Sequence, residues 1–524
     1  MNNLKIDDRK LLKALLLSNY FPNSKKENEE LPPIFSTGTF SNKCYGDLNK
    51  LKSRAGGYDQ VGYRLTRYNY TGRWLGIPHP LPYAKLCNAI ISNWGDIDLA
   101  LVDENSAIYP EIHDDGRVVI MNDYGDVDIK THKILELSFG NKYMVNADIA
   151  NCFGSIYTHA IGWALIGFEE SKNRLVRKKD KNSSIDRIDN AARSCKRNET
   201  QGIAIGPGTS HILAELILSR IDAALRERGY RRFIRFIDDY KYFCKTEDEA
   251  QQFLIILELE LAKFKLHLNT KKTLVEKLPL PISPDWMVEV IDIAGLSNQD
   301  TIFQKKVFKK NVSAAHIFNI LDRAQILAKR HPEDSVLKFA VMTVRKNFSC
   351  SDDWSYLQYL LTLSFHYPFI LPLIGEVINE VKYYPGLNES VLSMLETILD
   401  NNIASQRSDG ICWSLYYLKV MKGEVTESIV KRILDTSDCM SMLTLYWGWS
   451  SARQQVVDWG SLLITKKNFQ KDQYWPLLYQ FEYDGVLTDT YPGDDSFKIM
   501  RQNKVNFLVV SSDDLPDYDD DIPF

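Results

Sequence analysis

The sequence has no CxxC pair. Its eight cysteines, Cys44, Cys87, Cys152, Cys195, Cys244, Cys350, Cys412 and Cys439, stand far apart, which argues against a zinc site. It also has no run of the about 18 apolar residues that a membrane helix requires. The opening MNNLKIDDRKLLKALLL places lysines and acids inside its apolar stretch, unlike a secretory signal. A reduced, cytoplasmic protein without a membrane partner is therefore expected. An excess of either charge is lacking too: 64 Lys and Arg nearly balance 68 Asp and Glu, for a formal net charge of −4. Total charge thus selects no partner, and any basic surface must be local.

What is present is an ordinary globular composition, 44% hydrophobic and 25% charged. The chain is too long for one compact core, so two or three domains are expected. NSKKENEELPP reads as a loop. GYRLTRYNYTGRWLGIPHPLPY, residues 62 to 83, carries prolines and glycines that suit strand and loop. Helical spacing follows over Leu81 to Trp94. KYMVNADI reads as a strand ending at Asp148, and CFGSIYTHAIGWALIG after it has a helical period. Residues 172 to 197 are strongly basic. Helices are expected over Ser210 to Gly229 and Glu247 to Lys265, and LHLNTKKTLVEKL reads as strand, turn, strand. Beyond about residue 310 glycine becomes sparse and helix-like blocks succeed one another. DWSYLQYL and ICWSLYYL share a weak likeness, compatible with helical hairpin repeats. The tail SSDDLPDYDDDIPF is acidic, a composition that favours flexibility.

Between the two predicted helices lies RFIRFIDDYKYF, a hairpin pattern with Asp238-Asp239 at its turn. A two-residue hairpin turn prefers glycine, so two adjacent acids there are poor turn chemistry. Carboxylates packed together raise each other's pKa unless a cation joins them. Taken alone, Asp238-Asp239 is a common solvated turn and Asp148 a common helix cap. If the two strands are neighbours, three carboxylates meet at one end of a sheet, a site for two-metal phosphoryl transfer. Between them QGIAIGPGTSHILAELILSRID has a glycine-rich start that can bring backbone close to a ligand.

Together these segments resemble the palm of a reverse transcriptase: Asp148 with Phe153 five residues on, a Gln-Gly loop before a helix, then Phe-x-Asp-Asp. DIANCFGSIYTHAIGWAL, QGIAIGPGTSHILAEL and RFIDDYKYF are similar to the bacterial abortive-infection and defence-associated reverse transcriptases, the unknown-group reverse transcriptase family. The likeness covers roughly residues 60 to 280. It implies an α+β fold: right-hand polymerase fingers and palm with an antiparallel palm sheet over 1–300, an all-α helical-repeat (HEAT-like) domain over 301–510, and an acidic tail over 511–524.

The resemblance also implies roles. Asp148, Asp238 and Asp239 would be catalytic and bind two Mg2+ ions, with Mn2+ able to substitute and the Ile149 carbonyl as an extra ligand. Phe153 would sit beneath the incoming sugar and reject a 2′-hydroxyl by clash. Gln201 and Gly202 would line the nucleotide pocket. Arg73 would hold the triphosphate, with Arg64 or Arg67 as companion, because a guanidinium fork matches phosphate. Lys272 would approach the leaving pyrophosphate. Tyr63, Tyr68, Tyr70 and Trp74 could stack on bases, with core packing an equal alternative. Phe236 replaces the tyrosine usual before x-Asp-Asp.

The partners so implied are an RNA template or non-coding RNA, deoxynucleoside triphosphates, a DNA product, and further copies of the chain in a trimer or hexamer. Priming by a protein hydroxyl, Tyr518 or Tyr491, is a further implication. Two alternatives stand beside RNA-directed synthesis: template-independent, protein-primed DNA synthesis, and a non-catalytic RNA-binding scaffold.

Overall fold

The computed structural model describes residues 6–22, 30–69, 71–101, 104–112, 116–119, 127–177, 184–296, 309–381, 384 and 386–508. Tyr70, part of the basic stretch, the acidic tail with Tyr518, and the expected domain boundary near residue 300 lie outside them. Ten strands are found among the described residues: β1 (Gln60–Thr66), β2 (Gly72–Pro78), β3 (Glu111–Ile112), β4 (Val118–Val119), β5 (Tyr143–Asp148), β6 (Phe233–Phe236), β7 (Asp239–Cys244), β8 (Leu274–Lys277), β9 (Lys310–Val312) and β10 (Phe348–Cys350). Four of them form one antiparallel sheet in the order β6-β7-β5-β8.

Strand alternation gives this sheet two different faces. Phe233, Arg235, Tyr240, Tyr242, Val145 and Ala147 point one way. Most are buried, on the side covered by the Gly208–Glu227 and Glu247–Lys263 helices. The other face carries Met144, Ile234 and Phe243 in a small separate cluster, then Asn146 and Lys241, then Asp148 and Asp239 at the tip. The sheet is therefore anchored on one side and free to present polar groups on the other.

The predicted helices form at Pro80–Ser92, Gly208–Glu227 and Glu247–Lys263. The helical pattern after Asp148 is interrupted: it gives Cys152–Ser155 and Ala160–Ile166. The break at 156–159 arises because that backbone pairs with the glycine-rich loop instead. Gly202 N donates to Ile156 O (2.7 Å) and Thr158 N to Thr200 O (2.9 Å). LHLNTKKTLVEKL yields only β8, with Leu268 making an isolated bridge to Ile149.

From Ala314 to Gln502 the described chain is mainly helical. Helices begin where Ser313, Asp352, Thr426 and Asp438 accept backbone N–H groups, each cap contributing about 1 kcal/mol. This half packs directly on the first. Thr66 N and Oγ1 donate to Asp409 (2.6 and 3.0 Å), Arg54 pairs with Asp472 at 2.6 Å, and Trp475 Nε1 donates to Ile77 O. One hydrophobic core runs through both halves.

No helix among the described residues is long and apolar enough to cross a membrane.

Candidate active site

The hairpin turn is not where the sequence pattern puts it. Phe236 pairs with Asp239, so the loop is Ile237-Asp238 and Asp239 is the first residue of β7. Ile237 takes φ +55°, a left-handed conformation that costs a β-branched residue energy. Two contacts hold it there: Ile149 N donates to Asp238 O (3.1 Å), and Arg235 Nη1 donates to Ile237 O (2.9 Å).

Asp148 and Asp239 face each other directly across β5 and β7. Like charges in that position destabilise a sheet. Asp238 joins them from the turn, and one carboxylate oxygen from each residue lies within 4.8 Å of the others. The three predicted acids thus form a cluster that could hold a metal ion.

The electrostatics match that geometry. Burial, then the charges of Asp238 and Asp148, push the Asp239 carboxyl up to about 7. Burial also raises Asp238, with Asp148 adding to the rise and Arg73 and Lys272 opposing it. Hard divalent cations take such oxygen sets and would replace the repulsion by attraction.

Arg73 sits on the site side of the β1–β2 hairpin, where burial and then Arg67 lower its pKa and the charge of Asp238 acts the other way. Arg64 is a correction to the expected triphosphate set. It lies on the opposite strand face, and its guanidinium donates to Ser405 O and Gln406 O (3.1 and 3.2 Å). The companion cation near Arg73 is Arg67.

Phe153 is buried edge-on against His211, 5.1 Å between ring centres. Its carbonyl accepts Ile203 N, tying it to the Gln201-Gly202 loop. Gly202 has φ +80°, and a Cβ there would lie 2.8 Å from Lys196 Nζ and 3.0 Å from Gly154 O. Gln201 is exposed and bridges Tyr157. Ile149 is buried beside Leu268. Lys272 is half exposed, 4.0 Å from Glu333, and its charge acts on both Asp238 and Asp239.

Two expectations change. Tyr491 is buried at 2% exposure among His79, Phe497 and Arg54, so its hydroxyl has no open path to a nucleotide. Of the aromatic residues near the arginines, Tyr63 is buried and Tyr68 stacks on Tyr367. Trp74 alone of the described ones is mostly exposed, at 62%.

Asn269 was missed. Its Nδ2 donates to Asp148 Oδ2 (2.8 Å) and its N to Asp148 O (2.7 Å). The signal was available: Asn269 stands three residues before Lys272 in LNTKKT, but a lone asparagine in a turn is common.

Residues 80–291 match the family model described as reverse transcriptase (RNA-dependent DNA polymerase). The chain carries a reverse transcriptase domain, and its enzymatic class is RNA-directed DNA polymerase. No curated protein matches the chain in sequence. Among solved structures, it is similar to apo telomerase from Candida tropicalis, with 12% identity, a TM-score of 0.32, and coverage of 84% of this chain and 76% of that one. Telomerase from Candida albicans in complex with a fragment of telomeric RNA gives 12% identity and a TM-score of 0.28, covering 79% of this chain and 66% of that one. Both likenesses are too distant to bear on the chemistry.

Proposed function

We propose that this protein copies RNA into DNA at Asp148, Asp238 and Asp239, with Mg2+ as the working ion, as a bacterial antiviral-defence reverse transcriptase. The observation that carries the catalytic reading is the cross-strand pair Asp148 and Asp239 with Asp238 beside them, oxygens within 4.8 Å. When bound, two such ions activate an attacking oxygen and stabilise a leaving one. The chain's own groups do the rest. Asn269 orients Asp148, and the Ile149 carbonyl can add a ligand. Arg73, with Arg67, draws the triphosphate beside the acids. Gln201 and Gly202 shape the nucleotide pocket, Phe153 closes it against a 2′-hydroxyl, and Lys272 swings from its weak partner towards the pyrophosphate.

The defence reading rests on the likeness of the three quoted segments and on the helical half that follows them. It brings an associated non-coding RNA, a helical-repeat scaffold that assembles as a trimer or hexamer, and a protein primer, with Tyr518 as the remaining candidate. Primer extension on an RNA template by wild type and Asp238→Asn tests the catalytic reading: synthesis that survives the substitution rejects it. Sequencing nucleic acid that co-purifies, before and after protease, tests template and covalent priming. A random product sequence rejects a template.

A further inference from the structure

Beneath the acidic tip lies a second charged cluster, wholly buried. Arg235 has no exposed surface. Its Nε donates to Asp222 Oδ2 (2.7 Å), Nη1 to Glu215 Oε2 (2.8 Å) and Nη2 to Glu215 Oε1 (2.7 Å). Glu215 and Asp222 are both buried on the Gly208–Glu227 helix. Seven residues apart, they share one helix face. Nη1 also donates to Ile237 O.

Buried charges are expensive, and a hydrophobic trio of the same volume would stabilise the fold as well or better. Their retention asks what the apolar trio could not do. It could not grip the carbonyl of Ile237, whose left-handed backbone presents Asp238. Strand alternation makes the link possible: Arg235 points to the helix side while the turn two residues on carries Asp238 to the open side. A guanidinium suits this task, because its planar fork offers five fixed donors.

The helix at the other end of the link is itself pinned. It starts where the glycine-rich loop ends, with Gly208 N donating to Asn19 O (2.8 Å). A Cβ at Gly206 would lie 2.3 Å from Pro22 Cβ, so the loop is pressed against residues 19–22. The loop beside Phe153 and the turn carrying Asp238 are thus joined through one side chain.

We infer that Arg235 is a positioning residue that fixes the Ile237-Asp238 turn to the helix of the nucleotide loop, setting the carboxylate geometry for metal binding. This rests on the reading of Asp148, Asp238 and Asp239 as metal ligands. The test compares wild type, Arg235→Lys, Glu215→Gln and Asp238→Asn, with two readouts: the Mg2+ concentration for half-maximal primer extension, and Mn2+ binding to the protein alone followed by the ion's own paramagnetic resonance. Arg235→Lys keeps the buried positive charge but loses the fork. It is expected to raise half-saturating Mg2+ at least fivefold and to weaken Mn2+ binding similarly, with the deoxynucleotide KM within about twofold. Glu215→Gln keeps the shape but loses one charge and, because an amide nitrogen cannot accept, one of the two guanidinium bonds, so a shift of about twofold is expected; it carries the test if Arg235→Lys does not fold.

Folded Arg235→Lys or Glu215→Gln with unchanged metal dependence, even at a lowered rate, overturns the inference and leaves a purely structural cluster. An inactive Asp238→Asn beside that result keeps the metal site intact as a reading. An active Asp238→Asn with wild-type Mn2+ binding overturns the metal-site reading and the coupling with it.

Discussion

Two aspartates, one enclosed in the core and one at the open tip of the sheet, show opposite treatment. Asp409 is 2% exposed and fully answered: Thr66 N and Oγ1 and Gly410 N all donate to it. Burial raises its pKa, and those hydrogen bonds hold the rise back. Asp239 has other carboxylates as its neighbours, and burial and their charges raise its pKa together. A carboxylate used as a fastener is surrounded by donors, whereas one used as a ligand is left short of them. The first stabilises the fold from within. The second leaves a cost that Lys272 offsets only in part and a bound cation would offset further.

The largest effect is expected at the acidic tip. Asp238→Asn should lower DNA synthesis by roughly 10^3-fold or more, since a metal supplies several kcal/mol at about 1.4 kcal/mol per decade. The metal-free melting temperature should stay the same or rise, because one repelling charge is gone. A marked fall in it would show that Asp238 is a fastener after all.

Asp409→Ala should do the reverse. Orphaned donors at Thr66 and Gly410 cost about 1–3 kcal/mol each before relaxation, so a total near 3 kcal/mol is expected in denaturant unfolding. Activity per folded molecule should be nearly unchanged well below the melting range.

Next in size is the dependence on pH. A raised carboxyl pKa means the fold favours the neutral form of Asp239. Without metal, its contribution is then most favourable below the unfolded value of about 4. It is lost progressively as pH rises to about 7, where the loss is complete. Mg2+ needs the charged form, so its affinity should climb by up to about tenfold per pH unit below 7 and level off above. Melting curves with and without Mg2+ from pH 5.5 to 8.5 measure this, and a flat Mg2+ effect across that range contradicts it.

The smallest contrast separates two arginines of one hairpin. Arg73→Ala should raise the deoxynucleotide KM about tenfold or more through lost charge-assisted contacts. Arg64→Ala should leave KM unchanged and cost about 1 kcal/mol, the worth of its hydrogen bonds to Ser405 and Gln406.

Much of this was legible in the sequence because it is local. Asp148 at a strand end and the helices at 208–227 and 247–263 follow from the period of their apolar residues. What failed depended on distant partners. Arg64 and Arg73 look alike in GYRLTRYNYTGRW, and only the strand register sends them to opposite faces. The helical period after Asp148 was real, but pairing with residues 200–202 outcompeted it. The turn was misplaced by one residue because no pattern rule expects isoleucine at φ +55°. Arg235 reads as one more charged position in an alternating strand, and its two acids lie 13 and 20 residues away.

The shared core also sets a clock. Trp475, fully buried, donates to the carbonyl of Ile77, a residue made 398 positions earlier. At the usual pace of synthesis, about 5–20 residues per second, the β1–β2 hairpin waits roughly 20–80 seconds on the ribosome for the helix that completes it. During that interval the nascent first half exposes the apolar surface that the helical half will cover. Chaperones can bind that surface, while a message cut short before residue 475 leaves it uncovered. The arrangement makes completion of the shared core a late event, reached only once the second half has been made.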